Sequence, residues 1–442
     1  MQNVLIIGWG ISGKGASKLL LSHGAKVSVY NDEPIDLTHY PQVSDVSGLE
    51  YFDIIDGKDL VVISPSISQE HPLVEYAKRY SVPVIGEIEL GYRFCKGKIV
   101  AITGTNGKTT TTKLIGDILN SSGRKAYALG NIGKSFCESV EKIKKDEIAV
   151  LEVSSFQLES IKEFHPHIAS CLNVTPDHFE RHKNIDNYAL AKFNVFINQD
   201  LGDYAILNYD DEITKNFSNM LSSKTYYTSV SHAVKGAFLR DGKIYLNIDG
   251  EINFMSIEDV PLKGDYNYQN VMTAILACKL LGVENEDVIA AIKNFQPPRY
   301  RNQFIGTNFG KNFFNDSKAT NIDSTIKACK SMNGETALIV GGYDKGIAYD
   351  GFFSSLPDTV KHIIATGDNV YSIMQFLPSY HEYTFEITSS LERATQLAMS
   401  KDVKNILFSP TTSSFDRYSS YVERGEHFDM IVESLKENGS GE

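Results

Sequence analysis

No stretch of this 442-residue chain approaches the roughly 18 consecutive apolar residues of a membrane-spanning helix, so no membrane insertion is expected. Lys and Arg nowhere gather into a basic arm. With 43 of them against 55 Asp and Glu, the formal net charge is −12, which repels phosphate backbones and argues against nucleic acid as a partner. Cysteine is scarce too: Cys95, Cys137, Cys171, Cys278 and Cys329 are odd in number, widely spaced and without a CxxC pair or neighbouring His pattern. Neither a disulfide framework nor a zinc cluster is indicated, and free thiols are expected. Met1 runs into Val4-Leu5-Ile6-Ile7 and a glycine, which reads as a buried strand rather than a secretory leader, and a cytoplasmic location is expected. What remains is ordinary globular material, 42% hydrophobic and 22% charged, long enough for two to four domains.

Three α/β segments follow one another. Val4–Ile7, Lys26–Tyr30, Leu60–Ile63 and Val84-Ile85 are short apolar runs separated by helix-length stretches, the pattern of a small parallel sheet. A polar break at Cys95–Lys98 precedes a second set, Ile99–Ile102, Ile148–Leu151, Ile168–Val174 and Tyr204–Leu207. Asp241-Gly242 and Asp249-Gly250 then punctuate alternating segments as hairpin turns do, and a helix is expected over Asn267–Leu281, stopped by Gly282. Gln296-Pro297-Pro298 reads as a linker to a third set, Ala337–Val340, Ile363–Ala365 and Ile406–Phe408. The expected domains are 1–95, 96–297 and 298–442. The fold class is α/β throughout: a Rossmann-like first domain, a P-loop central domain and a Rossmann-like third.

Gly104-Thr105-Asn106-Gly107-Lys108-Thr109-Thr110 follows a strand and opens a helix-compatible run from Thr111 to Leu119. Such glycines let backbone N–H groups curl around phosphates, Lys108 reaches the outer phosphates, and the Thr109 hydroxyl can ligate Mg²⁺. The spacing is a short GxxGKTT form of the P-loop. Gly8-Trp9-Gly10-Ile11-Ser12-Gly13 after the first strand, with Asp32 at the end of the second, either holds a nucleotide or pyrophosphate or packs strand against helix. An NAD-dependent dehydrogenase would account for this loop and leave Lys108 and Thr109 unexplained. Glu152 ends one central strand and Asp177-His178 follow another, placing oxygen and nitrogen ligands suited to magnesium near the P-loop. Lys192, by itself, reads as a solvated helix lysine. In the third segment Asn315–Asn321, Gly341–Gly346 and Ser409–Asp416 are polar loops after strands, and Ser413 or Ser414 is expected to cap the next helix.

These motifs, together with Gly130-Asn131-Ile132-Gly133 and Glu152-Val153-Ser154-Ser155-Phe156-Gln157-Leu158-Glu159, resemble the Mur ligase family over essentially the whole chain. The resemblance implies a UDP-binding first domain, a central ATPase domain and a third domain that closes over an amino acid. The implied cofactors are ATP and Mg²⁺. The implied substrates are UDP-N-acetylmuramoyl-L-alanine and D-glutamate, joined by a monomeric enzyme through an acyl phosphate. By matching positions, Gly104 to Thr110 hold ATP; Thr109, Glu152, His178 and Lys192 hold metal, Lys192 as a carbamate; and Lys108, His178 and Lys192 are catalytic. Asn267, Asn270, Arg299 and Asp316 take the nucleotide. Ile11, Ser12, Asp32 and Asn131 take the UDP-sugar substrate, and Thr320, Lys345, Ser414 and Phe415 the glutamate. Three places depart from the family pattern: Pro298-Arg299-Tyr300-Arg301 stands for His-Arg-x-Glu, Tyr266 for a His before Asn267, and Ser64-Pro65-Ser66 for Ser-Pro-Gly. A folylpolyglutamate synthase-like ligase and a non-catalytic nucleotide-binding relative are the alternatives.

Overall fold

A computed structural model describes residues 2–346, 348–378 and 383–438. The chain divides into two compact units, Met1–Gln296 and Pro297–Glu442. The first unit holds two sheets. One is β1 (Asn3–Ile7), β2 (Lys26–Tyr30), β3 (Val43–Asp45), β4 (Leu60–Ile63) and β5 (Val84–Gly86), all parallel in the order 3-2-1-4-5. Val4 to Ile7 are all buried, as befits a parallel strand covered on both faces. Strand order reverses between β1 and β4, so the crevice favoured by ligands opens at the glycine loop after β1.

The second sheet contains β6 (Lys98–Thr103), β7 (Ala126–Gly130), β8 (Ile148–Glu152), β9 (Ile168–Cys171), β10 (Tyr204–Asn208), β11 (Lys224–Ser229), β12 (Gly236–Arg240), β13 (Lys243–Asn247) and β14 (Glu251–Ser256). Its order is 14-13-12-11-10-9-6-8-7, parallel from β7 to β12 and antiparallel at the two hairpins. Asp241 and Gly242 both have positive φ, 50° and 69°, the backbone that a two-residue hairpin turn demands. β7 and β11 were not expected from the sequence, because AYALG and KTYYTS mix polar with apolar residues and show no continuous apolar run. β9 stops at Cys171 rather than reaching Val174. The backbone leaves the sheet there because Asn173 turns to bond the P-loop. A helix over Asp265–Leu280, buried at every residue from Asn270 to Cys278, packs against the helix Lys108–Ser121 that follows the P-loop.

In the second unit β15 (Gln303–Asn308), β16 (Lys311–Asn315), β17 (Thr336–Val340), β18 (Val360–Ala365), β19 (Thr384–Ile387) and β20 (Asn405–Phe408) form one sheet in the order 15-16-20-17-18-19. Only the β15–β16 pair is antiparallel. The carboxyl ends of the neighbours β16, β20 and β17 therefore present Asp316, Ser409–Asp416 and Gly341–Lys345 along one edge. Among the described residues no helix is long and apolar enough to cross a membrane.

Within the first unit the helix Glu87–Phe94 leads out of β5 and binds the second sheet's loops through two buried acids. Glu89 Oε2 accepts from the backbone N–H groups of Lys162, Glu163 and Phe164 at 2.8, 3.0 and 2.9 Å. Glu87 Oε1 accepts from Cys137 N at 2.6 Å, while its Oε2 is buried with no partner. Burial pushes the Glu87 carboxyl up to about 7. An acid raised in the folded state holds its proton there while the unfolded chain has lost it, so folding weakens as pH climbs from the unfolded value, about 4.5, through 7. Glu87→Gln should flatten this slope, which urea denaturation at a series of pH values will detect; an unchanged slope would mean that other groups carry it.

Candidate active site

Three loops meet at the carboxyl ends of β9, β6 and β8. Gly104 and Gly107 have φ of 140° and 90°, and a Cβ on Gly107 would lie 2.2 Å from Asn270 Oδ1. Only glycine lets the loop pass beneath the helix Asp265–Leu280 in this conformation. The segment after β9 shapes the loop from its other side: Thr105 N donates to Asn173 O (2.9 Å), Asn106 N to Asn173 Oδ1 (2.9 Å), and Asn173 Nδ2 back to Asn106 O (3.1 Å). Thr175 N donates to Thr105 Oγ1 at 3.0 Å. Lys108 begins the helix and folds back, its Nζ donating to Gly104 O and Thr105 O, both at 2.8 Å.

Lys192 is not a solvated lysine. It is 1% exposed, its Nζ donates to the same Gly104 carbonyl at 2.9 Å, and it lies 4.2 Å from the centre of the Tyr188 ring. Burial, and next the charge of Lys108, lower its amine to about 7. Its helix, Ile185–Phe193, turns Tyr188 and Lys192 to one face because they are four residues apart. His178, at φ 55°, caps a short helix Phe179–His182; its ring rests on Phe156 at 4.9 Å and beside Tyr188 at 6.1 Å. Glu152 is buried at the end of β8. Asn131 Nδ2 donates to its Oε1 at 3.0 Å, and its Oε2 is buried without a partner. A carboxylate oxygen left open in this way, with the Thr109 hydroxyl in the first turn of the helix after the P-loop and the His178 imidazole on the segment after β9, suits a hard divalent cation. The two ammonium groups do not, so the set fits Mg²⁺ once Lys192 carries a carboxylate. Asn267 and Asn270 are both buried on the covering helix, with Asn267 Oδ1 and Asn270 Nδ2 unpartnered.

On the first sheet Ile11 is exposed at the start of the helix after the glycine loop, with Ser12 beside it. Asp32 is exposed at the end of β2, accepting from Tyr30 OH at 3.2 Å and 3.6 Å from His71 Nε2. Ser66 is not one of the residues with positive φ, so a serine there needs no glycine-like backbone.

In the second unit Asp316 is buried, accepts from Ser409 Oγ (2.7 Å) and Asn302 N (2.9 Å), and is pushed up to about 6 by burial. Arg299 is turned elsewhere, over the Tyr300 ring and 3.4 Å from Asp429 Oδ2. Lys345 Nζ donates to Thr320 O at 3.2 Å, so these two expected residues do meet. Ser414 is buried and Phe415 is 66% exposed. The helix expected to start behind Ser414 is not there: residues 415–417 form a single turn, and the next helix begins at Tyr421. Arg424 is the reason. Its Nη1 takes the Ser413 carbonyl at 3.0 Å and its Nη2 that of Thr412 at 3.0 Å, bending the loop inward before a helix can form.

Comparison with known proteins bears on the whole chain. The Mur ligase middle domain matches residues 102–278. UDP-N-acetylmuramoylalanine--D-glutamate ligases from Alkaliphilus oremlandii and Koribacter versatilis are 35% and 38% identical to it, the alignments covering 98% and 99% of this chain and 99% and 98% of theirs. The chain belongs to the Mur ligase family. Solved Mur ligases share the fold at lower identity. A pseudomurein peptide ligase type C from Methanothermus fervidus has a TM-score of 0.62 at 18% identity, covering 98% of this chain and all of that one. A MurF ligase from Thermotoga maritima, solved with ADP, has a TM-score of 0.61 at 15%, covering 99% and 96%.

Several residues of this Mur ligase that hold the site together were not assigned roles from sequence. Phe156 and Glu159 lie inside the motif Glu152–Glu159 and Asn173 inside the run Ile168–Val174, yet neither pattern says which side chain faces which loop. Arg424 had a readable sign: it stands at i, with Phe428, Ile431 and Val432 at i+4, i+7 and i+8, a charged residue on a buried helical stripe. It is 2% exposed and also donates to Ser317 Oγ (3.1 Å) and Ser317 O (2.8 Å). Arg424→Met should leave the Thr412 and Ser317 carbonyls without donors, the Ser413 carbonyl keeping Tyr343 N, and cost on the order of 3 kcal/mol. Urea unfolding monitored for the second unit checks this, and a loss below about 1 kcal/mol would mean the loops hold themselves.

Proposed function

We propose that this chain joins D-glutamate to the L-alanyl carboxylate of UDP-N-acetylmuramoyl-L-alanine at the expense of ATP; its curated relatives are named UDP-N-acetylmuramoylalanine--D-glutamate ligases. The observation that carries the reading is the convergence of Lys108 and Lys192 on the carbonyl of Gly104, inside a phosphate-binding loop. Residues 1–95 take the UDP-sugar substrate, through Ile11, Ser12 and Asp32 at the glycine loop. Residues 96–297 take ATP, and residues 298–442 take the amino acid.

The substrate carboxylate attacks the γ-phosphorus, ADP departs, and an acyl phosphate is left. The amine of D-glutamate then attacks the acyl carbon, the tetrahedral adduct collapses, and phosphate and a proton leave. Lys108 leaves the Gly104 and Thr105 carbonyls for the phosphate oxygens, whose growing charge it stabilises, while the loop N–H groups fix the rest of the chain of phosphates. Thr109, Glu152, His178 and Lys192 would hold Mg²⁺, which when bound neutralises phosphate charge. Asn131 keeps Glu152 in place and faces the muramoyl substrate. Asn267, Asn270, Arg299 and Asp316 serve the nucleotide. Lys345 meets a carboxylate of the incoming glutamate, with Thr320, Ser414 and Phe415 lining its place; a dicarboxylate needs such a cation, which a neutral amino acid does not.

Purified protein with ATP, Mg²⁺ and UDP-N-acetylmuramoyl-L-alanine should release phosphate with D-glutamate and not with L-glutamate, neutral amino acids or diamino acids. An inert panel, or faster turnover with any other amino acid, would overturn the assignment.

Lys192 makes a separate prediction. An amine lowered to about 7 is about half neutral near that pH, and the neutral form can add to CO₂, forming an N–C bond and releasing one proton to leave an anionic side chain. Protein equilibrated with ¹³C-bicarbonate should show one slowly exchanging carbamate carbon that Lys192→Ala lacks. That variant should be inactive and partly rescued by short carboxylates; full activity without them would remove the metal role.

A further inference from the structure

One ionic cluster in the first unit has no role in the chemistry above, and it joins the two sheets of that unit. Arg181 lies in the short helix capped by His178. Its Nη2 donates to Glu159 Oε2 at 2.6 Å and its Nε to both Glu159 oxygens at 3.3 and 3.2 Å. The same guanidinium reaches across to the first sheet, to Ile67 O at 2.9 Å and Ser66 O at 3.5 Å, in the loop that follows β4. Its carbon sits 5.2 Å from the centre of Phe156, the ring on which His178 rests.

Each end of this bridge is tied to a binding loop. Ser64 N donates to Ile7 O at 2.9 Å and Ser64 Oγ to Gly8 O at 3.0 Å; a Cβ on Gly8 would strike Ser64 at 2.8 Å and Ile67 at 3.3 Å. The Ser64–Ile67 loop thus lies directly on the glycine loop. At the other end Glu159 Oε1 is 3.5 Å from His182 Nδ1, and His182 Nε2 is 3.0 Å from Ser155 Oγ. Ser155, His182 and Glu159 stand in the order of a hydrolytic triad. They do not make one: Ser155 and His182 are buried, and Arg181 already occupies the carboxylate. The relay instead stiffens the His178 helix.

We infer that Arg181 is a positioning residue that couples the substrate loop of the first sheet to His178, so that seating the UDP-sugar substrate sets the imidazole. The inference rests on the proposed function for the identity of that substrate. A planar guanidinium suits the task, since it can clamp a carboxylate on one edge and reach a carbonyl with the other; a lysine ammonium has no such fork.

Two measurements on the full chain test it. In steady-state kinetics Arg181→Met should raise KM for UDP-N-acetylmuramoyl-L-alanine about tenfold or more and lower kcat, with KM for ATP within about twofold, and Arg181→Lys should recover only part of the loss. Equal rises in both KM values, or a substrate KM unchanged in either variant, overturn the coupling. The second measurement needs no turnover: amide hydrogen exchange should speed up in Arg181→Met at residues 64–68 and 178–182 together, while β1 and β6 stay protected. Faster exchange in one segment alone, or throughout the unit, overturns it as well. A wild-type protein that turns over no substrate would defeat the proposed function, and the exchange result would still decide for or against Arg181.

Discussion

Two ammonium groups share one carbonyl oxygen, that of Gly104, and much of the first unit is arranged so that this oxygen can face them. A peptide carbonyl accepts two donors easily, but two like charges at that spacing repel. The strain is met by removing charge from one of them: Lys192 is buried against the face of Tyr188, and its proton is held only weakly. Lys108 remains the movable cation. The carbonyl itself is aimed by a glycine at φ 140°, a backbone that a side chain would strain.

The loop that carries this oxygen does not hold itself. It is stapled by Asn173, whose amide both accepts from and donates to Asn106, while its carbonyl takes Thr105 N. The second unit solves the same problem with a cation. Arg424 binds the Thr412, Ser413 and Ser317 carbonyls and so fixes two polar loops at once. A neutral staple shapes the glycine loop without adding a charge beside Lys108. A buried guanidinium suits loops whose carbonyls converge, two of them, Thr412 O and Ser317 O, with Arg424 as their donor.

Legibility in the sequence followed the apolar runs. Val4–Ile7, Leu60–Ile63 and Ile148–Leu151 are strands because they are buried on both faces, and nothing but burial was needed to read them. β7, β11, β15 and β19 escaped, being partly exposed and mixed in composition. At the site, the P-loop was readable since glycine and lysine at fixed spacing have few other uses. Lys192 was not: its spacing from Tyr188 fits any helix, and only the tertiary fold reveals that this face is buried. The turn at Ser414 was misread for a related reason. Ser followed by an aromatic and an acid is a good helix start locally, and the residue that overrules it lies ten positions on, in Arg424.

The boundary near residue 96 is a boundary of sequence more than of mechanics. Polar residues 95–98 mark where one sheet's strands end and the next begin, yet Glu89 hands its carboxylate to three amides of the segment 162–164 on the far side of that mark. Side-chain hydrogen bonds therefore join the two sheets alongside the peptide chain. Producing either half alone would bare a buried acid on one and three unpaired amides on the other. A lineage that duplicated, swapped or split these sheets would have to carry the helix Glu87–Phe94 and its receiving loop together, as a matched set inherited in one piece.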